Sequence, residues 1–105
     1  MNDELMEQID EWHKAEKHQE IIDALEQIPE AERDFETTGF LARAYNNIEE
    51  YAKAAELLES VREEGAEDER WNFRMGYAQY FLNNYREALD YSARQGNLIR
   101  KMDTP

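Results

Sequence analysis

The apolar positions of this chain recur at intervals of three and four, which predicts helices throughout. Leu5, Ile9 and Trp12 fall on one helical face between Glu4 and about Lys14. A second run from about His18 to Gln27 turns Ile21, Ala24, Leu25 and Ile28 inward, and Pro29, which has no N–H to donate, stops it soon after. The short polar linker from Pro29 to Asp34 leads into a helix with Asp34, or failing that Thr37, as its cap. That helix buries Phe40, Leu41 and Ala44 and ends at Asn46-Asn47, where asparagine tolerates the left-handed conformation. Glu49-Glu50 open the next helix, a placement that suits the macrodipole. It runs through about Glu63 with Tyr51, Ala54, Leu57, Leu58 and Val61 inward, and Gly65 ends it. A last pair starts near Asp68, turns at Asn83-Asn84 and continues from Tyr85 to about Gln95, making about six helices.

These helices repeat. Shifting the sequence by 34 places Ala44 on Ala78, Tyr51 on Tyr85 and Ala54 on Ala88, and pairs Leu41 with Met75, Ala42 with Gly76 and Ile48 with Leu82. A fixed period of this length marks stacked repeats, in which each unit needs a neighbour to cover its apolar face. The pattern Leu41-Ala42, Tyr45, Tyr51, Ala54 and Leu58 resembles the tetratricopeptide repeat, a two-helix unit. The resemblance implies an all-α fold, a right-handed superhelical array of antiparallel helix pairs, with residues 1–105 forming a single domain of units 2–34, 35–68 and 69–102. It also implies that Ala42 and Gly76 face Ala54 and Ala88 where paired helices cross closely. Overpacking such a site costs about 1–3 kcal/mol. The first unit diverges: Ile9 and Ile21 stand where small residues are usual, Gln8 where leucine is usual, and Pro29 makes the unit about one residue shorter. In the third, Ser92 takes a slot usually held by phenylalanine. Gly96 then reads either as a C-cap with Leu98 and Ile99 folding back or as part of a continuing helix. The family's solvating last helix is missing, so the expectation is the front of a longer protein or, less favoured, self-association through the third unit.

Composition narrows the function classes. A chain of 105 residues with 35% charged side chains, four Gly and two Pro is a mostly helical domain. Its formal charge of −13 opposes nucleic-acid binding, which relies on Lys and Arg contacts to phosphate, and opposes an anionic membrane surface. There is no cysteine, no basic and apolar leader, and no apolar run near the roughly 20 residues of a spanning helix, so a cytoplasmic setting is expected. His13 and His18 are five apart and share no helical face, which predicts solvated histidines and no metal. Carboxylate runs such as Glu63-Glu64 and Glu67-Asp68 read as a solvated face. No nucleophile elbow or phosphate loop is present, and neither an enzyme nor a cofactor is expected.

The charge is unevenly spread. Residues 1–34 carry 12 acids and 3 bases, residues 35–68 carry 9 and 3, and residues 69–105 carry 4 and 6. The resemblance assigns the concave groove to fixed positions of each first helix. These are Asp3, Met6, Asp10, His13 and Lys14 in the first unit, and Glu36, Gly39, Arg43, Asn46 and Asn47 in the second. In the third they are Arg70, Phe73, Tyr77, Tyr80 and Phe81, with Arg74 nearby. Arg43, Arg70 and Arg74 suit carboxylates through forked hydrogen bonds. Asn46 and Asn47 suit backbone amides, and the four aromatics suit apolar side chains. The chaperone-tail clamp of some family members would fall on Met6, Asp10, Phe40, Arg70 and Arg74, of which only the last two fit. The expected function is therefore a protein-interaction module that binds a peptide or partner domain with acidic and apolar side chains. A structural or self-associating repeat unit and a regulatory N-terminal appendage of a larger protein are the alternatives.

Overall fold

The computed structural model describes residues 2–94, and side chains as far as Tyr91. The expectations for Gln95, Gly96, Leu98 and Ile99, for the Ser92 side chain and for the end of the third unit lie outside the described residues. Seven α-helices and one 3₁₀ turn make up the described chain, with no strand among them. They are α1 (Asp3–Lys14), α2 (His18–Glu26), the 3₁₀ turn Glu30–Glu32, α3 (Phe35–Asn47), α4 (Tyr51–Glu59), α5 (Arg62–Gly65), α6 (Glu69–Phe81) and α7 (Tyr85–Arg94).

Three of these helices start in the same way. Asn2 accepts from the Leu5 N–H at 2.8 Å, Asp34 from Thr37 at 2.8 Å and Asp68 from Trp71 at 2.7 Å. Each cap satisfies an orphan donor of the first turn, a contribution of about 1 kcal/mol. The same three helices also end alike. Glu16, Glu49 and Asn83 adopt left-handed backbones, at φ 60°, 66° and 68°. The N–H of each donates to the carbonyl three residues back, His13, Asn46 or Tyr80, at 3.1 Å. The following N–H reaches one residue further, from Lys17 to Trp12, Glu50 to Tyr45 and Asn84 to Gln79, at 2.7–2.9 Å. This double closure is a Schellman motif, and it folds each pair into a hairpin. The left-handed residue of the second hairpin is therefore Glu49, two positions beyond Asn47, while in the third it is Asn83 as the asparagine pair suggested. Asn46 is instead buried inside α3.

The long helix expected to run to Glu63 is broken. α4 stops at Glu59 and a single turn, α5, follows. A continuous helix would give the Leu58 carbonyl to the Arg62 N–H. Here it receives the Trp71 indole N–H at 2.8 Å and the Val61 N–H at 3.2 Å. Trp71 is 1% exposed and lies so close over Gly65 that a Cβ there would overlap the indole. Asn72 closes the bend, donating to the carbonyls of Ala66 and Asp68 at 3.0 and 2.9 Å.

One apolar core runs through the hairpins. It joins Ile9, Ile21 and Leu25 of the first to Leu41, Ala54 and Leu58 of the second and to Trp71, Met75 and Ala78 of the third. α1 packs on α2, α3 on α4 and α6 on α7, while α2 on α3, α4 on α6 and α3 on α6 join successive hairpins. Ala42, Ala54, Gly76 and Ala88 are all buried. The radius of gyration is 13.1 Å, with extents of 36, 28 and 21 Å. No helix among the described residues is long and apolar enough to cross a membrane.

Candidate functional site

Where α3 passes α6, Gly39 leaves the helix surface bare and the Arg74 side chain fills the space. A Cβ on Gly39 would lie 2.6 Å from Arg74 Nη1. Phe40 serves both neighbouring arginines, with the Arg43 guanidinium 4.9 Å and the Arg74 guanidinium 5.8 Å from its ring centre. Phe40, expected in the core, is half-buried at its edge, packed against the core while its ring meets both cations. Arg43 Nε is shielded from water with no hydrogen-bond partner among the described residues. Burial first, then the charges of Arg43 and Arg70, push Arg74 down to about 10. Burial also lowers Arg43, with Asp10 opposing and Arg70 adding to the effect.

Neither Arg43 nor Arg74 pairs with a carboxylate among the described residues, although the chain carries 25 acids. The acids that act on them are already engaged. Asp10 pairs with Lys14 at 3.0 Å, and Asp68 caps α6. Two half-buried cations without paired carboxylates are costly to the fold.

Beyond them the surface becomes aromatic. A concavity of about 460 Å³ is lined from α3 and its turn by Asn46, Asn47 and Glu49, and from α4 and α6 by Tyr51, Tyr77 and Phe81. The first hairpin adds His13, Glu16 and His18. Tyr51 and Phe81 stack at 4.8 Å and 10°, and Tyr77 tilts against both, at 6.0 and 4.8 Å. Burial and the Glu49 charge raise the phenols of Tyr51 and Tyr77, so both stay neutral. His13 and His18 meet edge to face at 5.7 Å across the turn. Burial, followed by the Arg43 charge, lowers both imidazoles, which keeps them neutral at pH 7.

The nine residues singled out by sequence do not share one role. Asn46 is 5% exposed and donates Nδ2 to the Arg74 carbonyl at 3.2 Å, tying α3 to α6, while its Oδ1 is buried without a donor among the described residues. Tyr77 is 7% exposed over Ala88, and Phe73 is half-buried beside it at 6.2 Å. Arg70 is exposed and Asn47 is half-buried at the concavity. Tyr80 and Phe81 are exposed at 44% and 42%, and Tyr80 meets Tyr85 at 5.4 Å. Arg43 and Arg74 are brought together on Phe40.

The repeat pattern places His13 among the groove positions of the first unit but singles out none of His18, Glu16, Glu49 and Tyr51 for the site. The histidines lie on different helices, so their spacing along one helix said nothing about their meeting at the turn. The signal for the glutamates was positional: Glu16, Glu49 and Asn83 follow one another at 33 and 34 residues. No group of three or more metal-ligating side chains occurs among the described residues. Comparison with known protein families, with curated proteins and with solved structures gives no match for this chain.

Proposed function

We propose that this chain is a protein-interaction module, a stack of tetratricopeptide-type helix pairs wound as a right-handed solenoid, which receives an extended segment of a partner along α1, α3 and α6. The observation that carries the proposal is the pair Arg43 and Arg74, half-buried against Phe40 without a carboxylate of their own among the described residues, in a chain of net charge −13. A fold retains such a pair at a cost, and an incoming carboxylate removes that cost by forming charge-assisted hydrogen bonds with the guanidinium edges. Arg70, exposed on the same helix as Arg74, extends the positive strip toward solvent. Apolar side chains of the same segment meet the exposed ring of Tyr80 at the end of α6.

Selection from a randomised peptide library on the intact chain tests this reading. Bound peptides should be enriched in Asp or Glu, and Arg43→Gln with Arg70→Glu should weaken them at least tenfold while the helical circular dichroism is kept. Unchanged affinity in that variant would remove the groove assignment. The exposed cluster of Tyr80, Phe81, Tyr85 and Leu89 favours a second reading, self-association through the end of the third hairpin. Sedimentation from micromolar to millimolar concentration checks it, since a monomer across that range excludes self-pairing.

A further inference from the structure

The aromatic concavity has a chemistry opposite to that of the arginine pair. Its floor carries Asn46, 5% exposed, with an Oδ1 that is shielded from water and has no donor among the described residues. A buried acceptor left empty calls for a donor. Its rim carries two carboxylates, Glu16 and Glu49, both exposed and both held at left-handed turn positions where L side chains are disfavoured. One wall is the stacked pair of Tyr51 and Phe81, and Phe81 is 42% exposed. Acceptor, carboxylates and aromatic wall together match one ligand type: a cation that also donates hydrogen bonds.

We infer that this concavity is a subsite for a lysine or arginine side chain of the bound segment, with Glu16 and Glu49 as its counter-charges, Asn46 Oδ1 as its acceptor and Tyr51 and Phe81 as its aromatic wall. An acidic side chain does not suit it, because the two glutamates would repel it. A purely apolar one would leave Asn46 Oδ1 empty. A metal ion lacks the ligands, as no cluster of three forms among the described residues. The inference rests on the groove reading above and deepens it: the partner segment carries an acid for Arg43 and Arg74 and a base for the concavity.

The same library selection separates the two. Wild-type chain should enrich peptides with one acidic and one basic position. Replacing the basic residue by methionine in a selected peptide should weaken binding to the wild type about tenfold, which is about 1.4 kcal/mol. On the Glu16→Gln, Glu49→Gln double variant, which keeps side-chain size and turn conformation, the same replacement should change affinity less than twofold. Enriched peptides with acids but no basic position overturn the subsite and leave the groove reading standing. An equal loss on wild type and double variant also overturns it, because the base is then held elsewhere. No enrichment of any peptide overturns both.

Discussion

At the scale of single residues, the site is built by side chains that do the fold no favour. Gly39 sits inside α3, where glycine is less favourable than alanine by about 0.5–1 kcal/mol. It is kept where the Arg74 guanidinium needs the space. Gly39→Ala should therefore raise stability by up to that amount, because the clashing atom is the far end of a flexible side chain, yet move Arg74 and weaken acidic peptides several-fold. Thermal melts paired with peptide titration check both halves, and a tighter complex in the variant would contradict the placement. The sequence marked Arg43, Arg74 and Gly39 through their repeat positions alone. It did not show that Asn46 is spent on the Arg74 carbonyl, because that hydrogen bond depends on how closely α3 and α6 approach.

The two histidines belong to the same scale. His13 faces Asp10 on its own helix, His18 of α2, Arg43 of α3 and Arg74 of α6. His18 faces Arg43 and the turn residue Glu16. Both imidazoles are lowered by burial below the ordinary value of about 6.5, so the unfolded chain binds more protons than the folded one in that window. Their contribution is present above about pH 6.5 and is lost as the pH falls toward the folded values. The melting temperature of wild type should drop between pH 7.5 and 5.5 relative to a His13→Gln, His18→Gln variant. Parallel pH profiles for the two proteins would contradict this.

At the scale of elements, the hairpins are set by their turns and the bend after α4 by one tryptophan. Glu16 and Glu49 hold left-handed backbones that glycine adopts freely. Glu49→Gly should stabilise the second hairpin by about 0.5–1 kcal/mol, and Asn83→Gly in the third by less, since asparagine already tolerates the conformation. Denaturant unfolding measures both, and a destabilised Glu49→Gly would mean that its side chain supports the turn. Gly65→Ala should cost about 2 kcal/mol, because the added Cβ overlaps the indole of Trp71, a bulky ring that is fully buried and tied to the Leu58 carbonyl. Helix existence was legible in the 3–4 spacing of apolar residues, the cap Asp34 was legible as a residue type, and the start of α6 was placed near Asp68 without its cap being read. The break after Glu59 was not legible. It is caused by a hydrogen bond from Trp71, 13 residues away from Leu58 in sequence, to a backbone carbonyl. No local preference encodes such a contact.

At the scale of the whole molecule, the charge is arranged against the site. The N-terminal two-thirds is strongly acidic and the last third is not, yet among the described residues Asp10 alone acts on Arg43 and Asp68 alone on Arg74, and neither pairs with its arginine. The most direct measurement is peptide selection and thermal melting on wild type and Arg74→Met side by side. Met fills a similar volume without a buried charge, so the variant should melt no lower than wild type, with a gain on the order of 1 kcal/mol. It should also lose the enrichment for acidic residues. A variant that melts lower and still selects the same acidic peptides would contradict the central claim, for Arg74 would then hold the fold together and receive no partner.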